Sequence, residues 1–390
     1  AFWMTQGRAA QTPSESGSGG PQTGIGHFDL VVIDEGHGAH DKLAEFVAIT
    51  LFQEEIEKLV GVRFPSIHAP STPPLHTWSD WARNTYPLIP PLLKQADSPR
   101  AKWRLKSIER DLVFLAGIAT DRDTDWIYQH DAQEHKHTFT PVWAREFAEP
   151  YLFQSAKRVI IASGTLLPNT GSYLGIDPLE SEYIDVADTF PVENRPFIYV
   201  PTGIRLNWKS TDSDIRVLVS TYDRIMDLWA GYNMLFHTQS HLLTERILAC
   251  KPRNMKRILV YDKGEASEAI RLLRDKPDSG LIVMGPGLKE GFDLKYGAAR
   301  AQIIAKMPIN NVADPVTKAR VESNPGYLMD QTTVQTMQMV ARINRAHDDW
   351  GWTYTGDGMF PWIQKDGKFP DSFRRTMRWE KNGIPGPPRR

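Results

Sequence analysis

Three groups of residues in this sequence have types and spacings that could do chemistry. The first is Asp34-Glu35-Gly36-His37, two adjacent carboxylates and an imidazole that close the apolar run from Leu30 to Ile33. One such acid can hold a magnesium ion through water while its neighbour orients or deprotonates an attacking water, the division of labour that nucleoside triphosphate hydrolysis requires. The second is Gln338-Met339-Val340-Ala341-Arg342-Ile343-Asn344-Arg345. On a helix Gln338, Arg342 and Arg345 stand at i, i+4 and i+7 and project from one face, a stripe that can point two guanidinium groups at a γ-phosphate. The third is Gly287 to Asp293, GLKEGFD. Its glycines allow close backbone approach, and an acid there can meet a ribose or orient an arginine.

Each group also has a plainer reading. Acids after an apolar run can be a strand ending in solvent, and two arginines can be a solvated helix face. Asp34, Glu35, His37, His40 and Asp41 together would be the ligands of a metal-dependent hydrolase or nuclease, but His37 and His40 leave a strand and diverge at the start of a helix. The cluster HDAQEHKH, His130 to His137, lies in a charged, polar context and reads as a solvated loop or strand connection rather than a metal site.

The elements that must position these groups follow from periodicity. Leu30 to Ile33 is apolar on both faces, which predicts a buried central strand of a parallel sheet with its acids at the carboxyl end, where open α/β sheets bind ligands. Residues 40–60 predict one amphipathic helix and residues 94–118 another; the Pro- and Trp-rich stretch 64–92 between them has no clear period. RVIIASGTLLP, 158–168, predicts a second strand ending in Ser163 and Thr165, whose hydroxyls can hydrogen-bond the acids. Residues 181–210 are irregular, and a domain boundary falls near their middle. Beyond it, helices 212–230, 240–250, 264–275 and 331–347 alternate with strands 233–238, 257–261, 280–285 and 301–308, a second open α/β sheet. Phe236 to Ser240, FHTQS, ends one of these strands and opens a helix, so His237, Thr238 and Ser240 can hold a phosphate of a nucleic-acid strand.

Composition sets the outer limits. A chain of 390 residues, 41% apolar and 24% charged, is long enough for two globular domains and too apolar for wholesale disorder. No apolar run reaches the eighteen or so residues that span a membrane. The lone Cys250 excludes an internal disulfide or a four-cysteine zinc or iron-sulfur site within these residues, and points to a cytoplasmic compartment. A net charge of -1 means that nucleic-acid binding must come from local patches, such as Pro361 to Arg390 with eight Lys or Arg against three Asp or Glu. The Ser/Gly/Pro-rich stretch 12–26 reads as a flexible loop, and no G-x-x-x-x-G-K-[ST] occurs there or elsewhere. The chain begins at Ala1 without a signal peptide's apolar core, and reads as starting inside a larger open reading frame.

Taken in order, these stretches resemble the motifs of superfamily two helicases. Asp34-Glu35-Gly36-His37 resembles the DEAH-type Walker B box with Gly36 where alanine is usual, a mild departure because glycine keeps the turn. Ser163-Gly164-Thr165 resembles the Ser-Ala-Thr motif. Glu290-Gly291-Phe292-Asp293 resembles motif V of the XPD/DinG branch, and Gln338 to Arg345 followed by Asp349-Trp350-Gly351 resembles motif VI, with Ala341 where glycine is usual. The resemblance implies an amino-terminally truncated helicase with two RecA-like α/β domains: residues 1–190, the end of the first domain with an arch-like insertion at about 61–150, and residues 191–390, the second domain. It implies ATP and magnesium as cofactors, the latter held by Asp34 through water. Asp34, Glu35, His37, Gln338, Arg342 and Arg345 would be catalytic, and Glu290, Gly291, Asp293, Ser163 and Thr165 would meet the cofactor. The partner would be single-stranded nucleic acid, DNA first, moved usually 5′ to 3′ and touched by His237, Thr238 and Ser240. Any phosphate-binding lysine loop or iron-sulfur cysteines would lie upstream of Ala1. The absent lysine also leaves open a non-catalytic nucleic-acid-binding remnant of a helicase.

Overall fold

Short β-branched runs set the first part of the chain: Val31–Ile33 (β1), Ile49–Phe52 (β2), Trp126–Asp131 (β3), Lys136–Pro141 (β4) and Val159–Ile161 (β5). The computed structural model describes residues 27–65, 74–118, 125–186, 188–261, 265–287, 294–380 and 383–388. By internal contacts the chain divides into Ala1–Tyr183 with Asn311–Pro325, and Ile184–Asn310 with Gly326–Arg390. In the first unit β1 pairs in parallel with β5, Val32 opposite Ile160. The other three strands form an antiparallel sheet in the order β2-β4-β3.

Two expectations are corrected here. Residues 40–60 are not one helix: Ala39–Val47 is helical, Ala48 turns the backbone to ψ 139°, and β2 intervenes before the helix Gln53–Val60. Ile49 and Leu51 are buried while Thr50 and Phe52 are less so, a period of two that a helical spacing test over the same apolar residues cannot separate. β1 is not buried on both faces either. Val32 is 58% exposed and Ile160 50%, because among the described residues β1 has only β5 beside it and one face carries no covering layer. The opposite face, with Ile33 and Ile161, packs on Leu43, Ala44 and Val47 of the following helix.

The stretch 64–92, aperiodic in sequence, holds the helix Leu75–Thr85 and the start of Ile89–Gln95, and the long helix Pro99–Ile118 follows as expected. Trp78, Ile89, Leu112 and Leu115 from these helices close one core with Ile49, Leu51 and Phe139 of the antiparallel sheet. The histidine-rich segment is the β3–β4 connection, with His130 directly opposite His137 and their rings stacked 4.6 Å apart. His137 is fully buried; Tyr128 Oη lies 2.9 Å from its Nδ1 and Gln53 Oε1 3.4 Å from its Nε2. With the phenol donating to Nδ1, the imidazole is neutral and carries its proton on Nε2.

Seven runs in the rest of the chain form one wholly parallel sheet: Phe197–Tyr199 (β6), Met234–His237 (β7), Ile258–Val260 (β8), Ile282–Gly285 (β9), Ala301–Ile304 (β10), Trp352–Thr355 (β11) and Met377–Trp379 (β12). Their order is β12-β6-β11-β10-β7-β9-β8. β7, β9 and β10 are buried at every position, as central strands covered on both faces must be. The helices Asp212–Leu228, His241–Ala249 and Ala266–Asp275 fall where periodicity put them. The first opens on a capping box in which Thr211 and Asp214 each accept the other's backbone N–H. The expected helix 331–347 is instead Tyr327–Val340. Three strands, β6, β11 and β12, had no clear sequence signal; β6 is three residues long and bracketed by Pro196 and Pro201. No helix among the described residues is long and apolar enough to cross a membrane.

Burial pushes the His137 pKa down from 6.5 to about 4, with His130 and His135 adding to the effect. A lowered histidine pKa means that the unfolded chain takes up a proton which the folded chain refuses. The contribution of His137 is therefore complete above pH 6.5 and declines as pH falls toward about 4. Thermal unfolding of the first unit should show this decline for the wild type, and His137→Gln should flatten it between pH 6.5 and 5; an unchanged pH profile in the variant would refute the assignment.

Candidate functional site

Asp34 and Glu35 leave the end of β1 with exposed side chains, and Glu35 takes a left-handed backbone, φ 51°. Asp34 Oδ1 accepts the Glu35 N–H at 2.8 Å. A non-glycine residue in that region costs about 1 kcal/mol and persists where its surroundings hold it. Here the hold is β5: the Gly36 N–H donates to the Ala162 carbonyl at 2.9 Å, locking the turn against the end of that strand. His37 Nδ1 then lies 2.8 Å from Ser163 Oγ and 3.3 Å from Glu35 Oε2, and Ser163 Oγ donates to Glu35 Oε2 at 3.4 Å. Thr165 Oγ1 is 3.3 Å from the same hydroxyl, and the Thr165 N–H donates to it. The structure thus brings Asp34, Glu35, His37, Ser163 and Thr165 together, with a glutamate whose carboxylate can accept a proton and whose position is braced by a histidine and a serine.

Gly36 is required here, a stronger constraint than the mild departure expected from its sequence. A Cβ at this position would overlap Ile161 Cγ2, so the stiff β-branched side chain of Ile161 or its strand would have to shift. The alanine usual in the resembling motif would not fit against this strand.

The histidines and acids of a metal-hydrolase arrangement fall into two pairs, His37 with Glu35 and His40 with Asp41, the latter at 3.5 Å. His40 is buried beside Tyr173, with ring centroids 5.1 Å apart, and burial holds its imidazole below the ordinary pKa. Asp41 forms a close ion pair with Arg320, whose Nε donates to the Val142 carbonyl at 2.7 Å and whose guanidinium lies over the Trp143 ring. Among the described residues no group of three or more His, Cys, Asp or Glu is arranged to hold a metal ion.

In the second unit Gln338 lies on the helix Tyr327–Val340, but Arg342 and Arg345 do not continue it, so the single-face stripe is corrected. The helix ends at Val340, Ala341 has φ -73° and ψ 2°, Ile343 bridges in parallel to Leu294, and Asn344 turns left-handed at φ 66°. The cause is the segment that follows. Asp349, fully buried, accepts N–H groups from Tyr296 at 2.9 Å and Trp350 at 2.8 Å and binds Arg300 at 2.6 Å, pulling the chain off the helix axis. Gly351 lets this segment close on Ile343, whose Cδ1 would stand 2.8 Å from a Cβ. Arg342 Nε donates back to the Gln338 carbonyl and Arg345 Nη1 to the Ala341 carbonyl, both at 3.2 Å, so cations gather where the helix carbonyls end. Ala341 needs no positive φ and suits this turn.

Glu290, Gly291 and Asp293 lie outside the described residues. Their flanks are tied to the arginine segment all the same, by the Leu294–Ile343 bridge and the Tyr296–Asp349 hydrogen bond. His237, Thr238 and Ser240 close β7. His237 and Thr238 are buried, with His237 Nε2 donating to Gln302 Oε1 at 3.0 Å and Thr238 Oγ1 2.7 Å from Thr244 Oγ1. Ser240 caps the helix His241–Ala249 by accepting the Leu243 N–H at 3.2 Å. This turn presents a helix N-terminus at the carboxyl end of the sheet, with its first two side chains spent on internal bonds. Asp349 and Gln302 are the residues that sequence reasoning missed as organisers; the only signal was Asp349 within the D-x-G word.

Residues 220–376 match the family model of the helicase C-terminal domain. Among solved structures the chain is similar to Xpd4 of S. tokodaii, with 16% identity and a TM-score of 0.60 over 90% of this chain and 76% of that one. It is also similar to an XPD helicase at 14% identity and TM-score 0.54, over 90% and 68% of the two chains, and to an apo XPD at 15% and 0.54, over 90% and 77%. No curated protein matches. The seven-stranded parallel sheet and its helices in the second unit carry most of the stretch that matches that family model. The chain has the fold of the XPD helicases, as its resemblance to that branch implied.

Gly36→Ala should destabilise the first unit by about 1–3 kcal/mol, the usual cost of overpacking. Combined with Ile161→Ala, which removes the opposing methyl, the alanine should cost clearly less than it does alone. Urea unfolding of the four members of this cycle measures the coupling, and strictly additive costs would contradict the steric account.

Proposed function

We propose that this chain is part of an ATP-dependent helicase that moves on single-stranded nucleic acid, DNA first, and separates duplexes. The observation that carries the reading is the match of residues 220–376 to the helicase C-terminal domain. In this reading residues 1–190 contribute the end of a first RecA-like domain and residues 191–390 the second. Asp34 would hold magnesium through water, which its exposed carboxylate at a strand end suits. Bound there, the ion would neutralise charge developing on the phosphates. Glu35, braced by His37 and Ser163, orients the attacking water and accepts its proton. Gln338, Arg342 and Arg345 supply the cationic edge that stabilises the transferred phosphoryl group, and Glu290, Gly291 and Asp293 meet the nucleotide. The turn at His237, Thr238 and Ser240 meets the strand's phosphates through backbone N–H groups and the helix N-terminus.

The absence of a G-x-x-x-x-G-K-[ST] word favours one further reading, a nucleic-acid-binding protein without turnover. Both readings predict that residues 1–390 bind single strands without sequence preference, with affinity falling steeply as salt rises. They also predict ATP turnover near background from these residues alone, and robust turnover would overturn that expectation. The two part in a chain that also carries a phosphate-binding lysine loop. There Arg345→Ala should lower hydrolysis by roughly 10³ to 10⁵ with nucleotide affinity largely kept, and Glu35→Gln should abolish turnover. Full turnover by both variants would refute the roles given to these residues, and absence of turnover in the unsubstituted chain would favour the binding protein.

A further inference from the structure

Trp208 is the most exposed tryptophan among the described residues, at 87%, in a loop that is otherwise tightly held. That loop follows β6 at the carboxyl end of the seven-stranded sheet. Two residues earlier Leu206 is buried, with its N–H donated to the buried carboxylate of Asp357 at 3.1 Å. Thr202 Oγ1 donates to the Gly356 carbonyl at 2.6 Å, and the Gly358 N–H donates to the Ile204 carbonyl at the same distance. Asn207 folds the tip: its N–H donates to Ser210 Oγ at 2.9 Å, and its Oδ1 accepts the Lys209 N–H at 2.8 Å. The indole is therefore carried outward by a braced backbone rather than by a slack one.

A cation lies over one side of the ring. Lys209 Nζ lies 4.9 Å from the ring centroid, and Arg205 precedes it in a run, Arg205 to Lys209, that has no acid. Among the described residues no other aromatic ring stacks on Trp208. The loop is also joined to the last turn of the helix His241–Ala249. Arg246, on the helix that Ser240 caps, donates to the Ser210 carbonyl at 2.8 Å and pairs with Asp212 at 2.9 Å. A held-out indole with a cation on one side has the two chemistries that a single strand requires: a π-face for a base and positive charge for its backbone.

We propose that Trp208 is a base-stacking residue for single-stranded nucleic acid, with Lys209 and Arg205 meeting the adjacent phosphates. This rests on the nucleic-acid reading above and adds to it a specific base contact. The test measures binding of the 390-residue chain to two fluorescein-labelled oligomers of about twenty residues, oligothymidylate and an abasic deoxyribose-phosphate strand of equal length, by anisotropy at fixed salt. Trp208→Ala should weaken binding to oligothymidylate roughly tenfold and leave binding to the abasic strand unchanged, while Trp208→Phe keeps most of the affinity. Unchanged binding of Trp208→Ala to oligothymidylate, or an equal loss on both oligomers, overturns the stacking assignment while the nucleic-acid reading stands. Failure of the wild-type chain to bind either oligomer overturns both.

Discussion

The carboxylate of Asp349 is the interaction on which the arrangement of the second unit's arginine segment depends. It is fully buried, and a buried charge is tolerable only when paired and hydrogen-bonded. Arg300, whose guanidinium lies 4.6 Å from the centroid of the Trp350 ring, supplies the charge, while the N–H groups of Tyr296 and Trp350, and at 3.4 Å that of Arg345, donate to the carboxylate as well. Satisfying that one group draws together the start of β10, the stretch after residue 293 and the loop that leaves the helix Tyr327–Val340. The positions of Arg342 and Arg345 are consequences of this anchor rather than of helical spacing.

A second constraint comes from the sheet. Wholly parallel strands covered on both faces leave little room for polar side chains, yet Gln302 sits at the centre of β10 with no exposure. Its amide nitrogen donates to the Val340 carbonyl at 3.0 Å and to Thr353 Oγ1 at 2.8 Å, and its oxygen accepts from His237. Both ends of the amide are thereby satisfied, which makes such a network specifying rather than costly. Asp357 plays the matching part at the strand ends, where it accepts N–H groups from Leu206, Met307 and Met359 and so ties the loops after β6, β10 and β11 together.

How much of this was legible in the sequence follows from the range of the interactions involved. The strands β7, β8, β9 and β10, and the helices between them, were readable because each is a local apolar run with ordinary boundaries. The acid turn was readable because its chemistry lies in adjacent residues, and Ser163 was readable as its partner because it ends the next parallel strand. Three features were not readable. β2 was hidden because Leu51 continues the helical spacing of Leu43 and Val47, and Ile49 that of Phe52 and Ile56, while the two together also alternate as a strand does. The end of the helix at Val340 was hidden because the force that stops it comes from Asp349 and from its distant partners Tyr296 and Arg300. The need for glycine at position 36 was hidden because it is set by Ile161, on a strand far along the chain.

The same long-range contacts set what the His237 side chain does. Its place at a strand end, beside Ser and Thr, suggests a side chain offered to a ligand. In the fold the imidazole is turned inward, and its bond to Gln302 continues to Val340, the last helical residue before Arg342. A displacement of the turn after β7 therefore cannot leave the arginine segment untouched without breaking a buried hydrogen bond, which costs about 1–3 kcal/mol. Within the second unit the histidine couples the turn proposed to hold a strand's phosphates to the residues proposed to meet a nucleotide, and it does so by being unavailable to either ligand.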